Sequence, residues 1–186
     1  MAEPDEAHFR SIPWCSQLID DPAFTITPTF SRQFKSSTED SLFAETLQTN
    51  NTINACLSVY RRPSPPETFI PEVRTLLTLG SGLNGGAHVL HGGITAAIID
   101  DVIGTLLTVN KDGKSLPLTW NTLTASLNVR YLRRVETPGT VVVVARCREV
   151  KGRKYFMEAE VRDGEGQKLA EAESLWIGIN KSKEKL

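Results

Sequence analysis

Cysteine is scarce in this chain: three among 186 residues, scattered at Cys15, Cys56 and Cys147. An odd, dispersed set excludes a disulfide framework and favours a reducing compartment. An excess of charge is missing too, since 21 Lys+Arg face 22 Asp+Glu for a net charge of -1. Nothing in that balance asks for a nucleic-acid partner. The opening MAEPDEAHFR holds three acids and no following apolar stretch, so neither a signal peptide nor an Arg-rich transit peptide is expected. An intracellular location, cytoplasmic or mitochondrial and not secreted, follows as the expectation. Asn50-Asn51-Thr52 fits a glycosylation sequon, but without a secretory route it is read as chance. No uninterrupted apolar run is long enough for a membrane span. The most apolar stretch, Ile94 to Val109, carries Asp100-Asp101 at its middle, and two carboxylates at a bilayer centre would cost about 5 kcal/mol or more. It reads as a buried helix of a soluble domain.

Several catalytic signatures are also missing. There is no G-x-S-x-G elbow, no H-E-x-x-H and no cysteine pair at metal-ligand spacing. His88, His91 and Asp100 supply zinc-type ligands, but His88 precedes the helix and its register with His91 is not assured, so no metal is expected. Gly80-Ser81-Gly82-Leu83-Asn84-Gly85 matches the dinucleotide pattern G-x-G-x-x-G. That mechanism needs the third glycine to open the helix and an acid at the end of the next parallel strand. Here the helix opens later, at His91, and Asp100 falls inside it.

What remains is a chain that is 40% hydrophobic, enough for a real core. Residues 1–50 read as a polar, proline-punctuated arm with short helices near His8–Ile19 and Glu39–Leu47. Thr52 to Tyr60 is a strand or a helix end, and Arg61 to Pro66 is a connection. Val73 to Leu79 reads as a strand, followed by a glycine-rich loop and then a long helix from His91 to Val109. Asn110-Lys111-Asp112-Gly113 reads as a turn. Beyond it, Thr122, Thr124, Ser126, Asn128 and Arg130 alternate with Leu123, Ala125, Leu127, Val129 and Tyr131, the period of a half-buried antiparallel strand. Thr137-Pro138-Gly139 turns it, Val141 to Val150 runs back, and Tyr155–Arg162 and Lys168–Ile179 complete a meander. A curved antiparallel sheet must bury one face, and the apolar helix is the filling. The fold class is α+β, with an arm at 1–50, a domain at 51–180 and a charged tail at 181–186.

His91-Gly92-Gly93 opens the long helix. Two glycines inside a helix cost about 1 kcal/mol each relative to alanine. At the first turn they serve either close packing against the sheet or close approach of a ligand. The first-turn N–H groups lack intrahelical partners and carry the positive end of the helix dipole, so they suit a carbonyl oxygen gaining negative charge. At 100° per residue, Asp100 shares a face with Gly93, Ala96, Ala97 and Gly104. A carboxylate on that small-residue face is desolvated with room in front of it, which raises its pKa toward a general base. Asp101, turned 100° away, is the structural one of the pair.

The pattern H-G-G-x6-D at the helix head, with Thr124-Ala125-Ser126-Leu127-Asn128-Val129-Arg130-Tyr131 and Val150-Lys151-Gly152-Arg153-Lys154-Tyr155-Phe156 after it, resembles the acyl-CoA thioesterases of the hotdog-fold superfamily. The likeness covers about Leu76 to Asn180 and is greatest to the phenylacetate-pathway branch, and within it to the animal thioesterase superfamily member four type. It implies a helix wrapped by a curved sheet of about five to six strands, paired as a homodimer or a dimer of dimers. It implies that the Gly92 amide polarises the thioester carbonyl, that Asp100 of the other subunit acts as general base or nucleophile, that Thr124 helps place the water, and that His91 shapes the turn. Many relatives carry an asparagine six residues before the histidine; here that position is Gly85, and Asn84 comes one residue earlier. Asn84 and Gly93 join the expected substrate contacts. Arg133, Arg134, Lys151, Arg153 and Lys154 lie at strand ends and a turn, where they offer a dock for the phosphates of coenzyme A. No cofactor is expected, coenzyme A being part of the substrate. The alternatives are a non-catalytic hotdog that binds acyl-CoA or a protein, and a hotdog dehydratase, which lacks a suitable His/Asp pair here.

Overall fold

The computed structural model describes residues 3–113, 115–116 and 120–180; the charged tail at 181–186 lies outside them. In chain order the elements are α1 (Glu3–Arg10), α2 (Pro13–Ile19), β1 (Phe24–Thr27), β2 (Ile53–Arg61), β3 (Glu72–Leu79), β4 (Asn84–Gly86), β5 (Val89–Leu90), α3 (Gly92–Asp112), β6 (Trp120–Tyr131), β7 (Gly139–Lys151), β8 (Lys154–Arg162) and β9 (Lys168–Asn180). β4 and β5 form a small hairpin. The remaining seven strands form one antiparallel sheet in the order β1-β2-β3-β7-β8-β9-β6. The sequence pointed to five or six; the additional strand is β1, four residues that pair with Ser58–Arg61 of β2.

α3 fills the concave face. His91 caps its start, accepting the Gly93 N–H on Nδ1 at 2.9 Å, and Gly113 closes its end with its N–H on the Val109 carbonyl at 2.9 Å. The residues 110–112 that read as a turn are its last helical residues, because the Asn110 side chain has a role in the interior. Its Nδ2 donates to the Leu106 and Ile70 carbonyls, both at 2.9 Å, while its Oδ1 accepts the Ile70 N–H at 2.7 Å. α3 is long and apolar enough to cross a membrane. Ile98, Ile99, Val102, Ile103, Leu106 and Leu107 are instead buried in the core beneath the sheet. The opposite stripe, including Gly93, Ala96, Ala97, Asp100, Gly104 and Thr108, remains partly open.

The convex face is covered as well. Phe9, Cys15 and Ile19 of α1 and α2 form a second core with Ala55, Leu57, Leu76, Val142 and Val144 of β2, β3 and β7. Farther along the arm, Arg32 donates to the carbonyls of Phe43, Leu47 and Ile53 at 3.4, 3.2 and 3.0 Å. One guanidinium thereby ties three carbonyls of the arm and of β2 together.

β6 departs from its expected place. It does not lie beside β7 but pairs with β9, Trp120 opposite Asn180 and Tyr131 opposite Ala170, and forms the sheet edge. Its alternation is real, and Leu127 and Val129 pack on the core, yet the two ends of its apolar side are not covered within one chain: Leu123 is 55% exposed and Tyr131 56%. The register slips between Thr124 and Ser126, a bulge that bends the edge around the helix.

Candidate active site

The start of α3 can be read donor by donor. Gly93 N–H is held by His91 Nδ1, and the N–H groups of Ile94 and Thr95 both reach the His91 carbonyl at 3.0 Å. Since Nδ1 accepts, the ring proton belongs on Nε2. Gly92 N–H has no acceptor among the described residues. The two glycines have different reasons. A Cβ at Gly93 would sit 3.0 Å from His91 Nδ1 and disturb the cap, whereas one at Gly92 would meet only the Tyr131 ring, at 3.5 Å. The Tyr131 hydroxyl donates to the Gly92 carbonyl at 2.9 Å, tying the helix head to the end of β6.

Two turns down α3, Thr124 of β6 donates its hydroxyl to Asp100 Oδ1 at 2.8 Å. Burial raises the Asp100 pKa, and the Thr124 bond offsets part of that rise. The structure therefore brings Asp100 and Thr124 together, but not Asp100 and Gly92 of the same chain. Eight residues at 1.5 Å separate them by about 12 Å along the axis, too far to serve one carbonyl group. Asp101 points elsewhere, to the arm, where Ser31 donates to its Oδ2 at 2.9 Å. Burial pushes Asp101 up to about 7, which makes it the more perturbed carboxylate of the pair.

The remaining sequence candidates divide. Asn84 lies in the β4–β5 hairpin, and its carboxamide oxygen accepts the Thr137 hydroxyl, leaving its NH2 as the free end. Gly85 is against His91: a Cβ there would lie 3.0 Å from both the Cα and the Cδ2 of that histidine. Arg133 donates to the Lys168 carbonyl at 2.9 Å, and Arg134 pairs with Glu136 at 2.8 Å, close to the Tyr131 end of β6. Arg153 is at the other end of the sheet, its carbonyl accepting the Gly178 N–H at 2.8 Å. Lys154 is opposite Lys151 in the same turn, and Lys151 is paired with Glu149 at 2.9 Å. From Lys168 to Gly178 is ten strand residues, about 33 Å. The two basic pairs of one chain therefore do not form one dock.

The glycine loop has a packing role. Cβ atoms at Gly80 and Gly82 would each lie 2.5 Å from the Asn51 carbonyl oxygen, so these glycines admit a close backbone crossing. Among the described residues no group of three His, Cys, Asp or Glu is placed to hold a metal ion.

A cavity of about 710 Å³ opens beside Asp100 and Asp101. α3 forms one wall, Asn121, Thr122 and Leu123 of β6 with Tyr155 and Trp176 another, and Phe30, Ser31, Lys35, Glu39 and Asp40 of the arm close it. Ser31, Phe30 and Trp176 escaped the sequence reading. No local pattern marks them, since they meet the site only through the path of the arm and the pairing of β9.

Residues 87–170 match the profile of the family described as Thioesterase superfamily. The chain is 28% identical to Verlamelin biosynthesis protein B of Lecanicillium sp over 164 residues, 73% of this chain and 71% of that protein. It is 30% identical to acyl-coenzyme A thioesterase THEM4 of Bos taurus over 115 residues, 60% of this chain but only 44% of that one. Among solved structures, the BH2602 protein of Bacillus halodurans with CoA is 25% identical, with a TM-score of 0.50 over 59% of this chain and 68% of that one. The architecture, a long helix wrapped by a bent antiparallel sheet, is the hotdog fold of the thioesterases.

Proposed function

We propose that this hotdog protein is an acyl-CoA thioesterase, hydrolysing acyl-CoA to the free acid and CoA at sites assembled between two copies of the chain. The observation that carries the reading is the uncommitted Gly92 N–H at the head of α3, paired with a half-buried Asp100 of raised pKa on the open face of the same helix. The 12 Å between them, set by helix rise, calls for Gly92 from one copy and Asp100 from the other. The open stripe of α3 and the unpaired edge β6, with exposed Leu123, Tyr131 and Leu132, are the surfaces a second copy would cover. The similarity to the acyl-coenzyme A thioesterase THEM4 and to a Bacillus protein that holds CoA supports the substrate class.

In this mechanism Gly92 N–H donates to the thioester carbonyl oxygen and stabilises the charge that grows there. His91 keeps the neighbouring Gly93 amide engaged, and Tyr131 holds the Gly92 carbonyl, so the donor is fixed before substrate arrives. Thr124 binds Asp100 Oδ1 and leaves Oδ2 to take a proton from water. The hydroxide so formed attacks the carbonyl carbon; the C–S bond breaks, and the CoA thiolate takes up the proton. Arg133 and Arg134, at the Gly92 end, receive the CoA phosphates; Arg153 and Lys154 would reach that site only from a partner copy. Asn84 NH2 is available as a second donor near the loop.

Thiol release from a panel of acyl-CoAs tests the reading. Wild type is expected to turn over at least one acyl length, and Asp100→Asn to lose about 100-fold or more in kcat. Equal release by both proteins would overturn the role of Asp100. No release with any acyl-CoA, together with tight binding by calorimetry, would make the chain a binding module instead.

A further inference from the structure

We infer that Ser64 is a phosphorylation site for a proline-directed protein kinase, and that Arg61 and Arg62 of the same chain receive the phosphate. This modification goes beyond the thioester chemistry proposed above and does not depend on it.

The segment Arg61-Arg62-Pro63-Ser64-Pro65-Pro66-Glu67 leaves the end of β2 as an open turn. Glu67 N–H donates to the Ser64 carbonyl at 2.9 Å, which sets Pro65 and Pro66 at the tip, and residues 64–68 are all exposed. The Ser64 hydroxyl has no hydrogen-bond partner among the described residues. A kinase has to take up a short stretch of chain around its target hydroxyl. A residue before proline is already biased to the extended conformation that such a cleft accepts, and Pro65 presents a ring and no N–H to the pocket that follows the target. The chain holds three Ser/Thr-Pro pairs: Thr27-Pro28, Ser64-Pro65 and Thr137-Pro138. Thr27 is 7% exposed and Thr137 2%, and the Thr137 hydroxyl is spent on Asn84. Of the three, Ser64 alone can be reached in the folded protein.

The charge around this turn is an independent observation. Arg61 and Arg74 stand over the Phe24 ring, 4.9 and 4.1 Å from its centroid. Arg74 and Arg146 share one buried carboxylate, Glu72, at 2.7 and 2.6 Å. Arg61 has no carboxylate partner among the described residues, and the Arg62 side chain donates to a neutral group, the Thr25 hydroxyl, at 2.7 Å. Two other acids are close in the chain: Asp21, which accepts the Ala23 N–H at 2.9 Å, and Glu67, which closes the turn. Four guanidinium groups at one corner of the sheet thus outnumber the carboxylates there. A phosphate on Ser64 carries close to two negative charges and three strong acceptor oxygens. Arg61 and Arg62 precede it by at most about 11 Å of chain, within reach of two long side chains, and guanidinium groups grip phosphate through paired N–H donors.

In the transfer, Ser64 Oγ attacks the γ-phosphorus of ATP. The Oγ–P bond forms, the bond from that phosphorus to the bridging oxygen breaks, ADP leaves, and the hydroxyl proton passes to the kinase's base.

The full-length protein, incubated with a proline-directed kinase and Mg-ATP, is expected to gain one phosphate. Tandem mass spectrometry should place it on Ser64 and on neither Thr27 nor Thr137. Ser64→Ala should abolish incorporation, and Pro65→Ala should slow it at least about tenfold. No phosphate on Ser64, or equal rates for wild type and Pro65→Ala, would overturn the inference. Phosphorus NMR then reports where the phosphate lies. Its second pKa, about 6 in a free peptide, should fall by about 0.5 unit or more in the folded protein, because nearby guanidinium favours the dianion. The double variant Arg61→Gln, Arg62→Gln, with its fold checked by circular dichroism, should move that pKa back toward the peptide value. The same titration in both proteins would overturn the role of the two arginines.

Discussion

Replacing Asp101 with asparagine should make the protein more stable, and the gain should depend on pH in a defined way. Burial dominates the rise of the Asp101 pKa from 3.8 to about 7; the Ser31 hydrogen bond opposes it, Asp40 and Asp100 add to it, and Arg32 relieves it slightly. In the unfolded chain this carboxyl titrates near its ordinary value. Between pH 4 and 7 the folded protein therefore holds a proton that the unfolded chain has released, so raising the pH favours unfolding. Below pH 4 both states are protonated and the penalty is absent; above pH 7 both are ionised and it is constant. Three units at about 1.4 kcal/mol each give an upper bound of about 4 kcal/mol, reduced to the extent that Asp101 is only partly buried. Asparagine keeps an oxygen for the Ser31 hydroxyl and carries no charge. Urea unfolding of both proteins at pH 4.5 and pH 8, at one fixed protein concentration, should show the asparagine variant gaining about 2–4 kcal/mol on wild type between the two conditions. A difference that stays constant with pH within about 0.5 kcal/mol would refute the assignment of Asp101 as the buried, proton-holding carboxyl.

Thr124→Val removes the hydrogen bond that lowers the Asp100 pKa, so the rising acid limb of the thiol-release pH profile should move to higher pH while the alkaline plateau persists. Phe9→Ala empties a fully buried position of the second core and should cost about 3–5 kcal/mol in urea unfolding; removal of residues 1–50 takes away β1 with Phe9, Cys15 and Ile19, uncovers Ala55, Leu57, Leu76, Val142 and Val144, and should leave an aggregating product. Gly85→Ala drives a Cβ to 3.0 Å from the His91 Cα. It should lower kcat by displacing the helix head, with far-UV circular dichroism unchanged.

The legible parts of the molecule are those written in local pattern. The strands after residue 119 follow from alternation and from turns at Lys151-Gly152 and Asp163–Gly166, and they appear as β6 to β9. The helix from His91 follows from its apolar run, although its end does not. Asn110-Lys111-Asp112-Gly113 has turn composition, and only the contacts of the Asn110 side chain with Ile70 explain why the helix continues. Asp100 and Thr124 could be singled out by periodicity, Asp100 on a small-residue helical face and Thr124 on the polar side of its strand. Their 2.8 Å contact depends on β6 lying over that face.

By itself, then, the sequence determined the long helix, the strand before it at Val73–Leu79 and the four strands after it, that the long helix has to be buried, and that its glycine head and Asp100 are the places to look for chemistry. These properties depend on residues within a turn or a strand of one another, where backbone geometry repeats every 3.6 or 2 residues. The tertiary structure alone decided that β6 pairs with β9 rather than β7, that the arm covers the convex face and closes the cavity, and that Asp101 is the more strongly perturbed acid. It also placed the two basic pairs at opposite ends of the sheet. Each of these turns on which distant segment lies against which, and a periodic pattern records the face a residue presents without recording what packs against it.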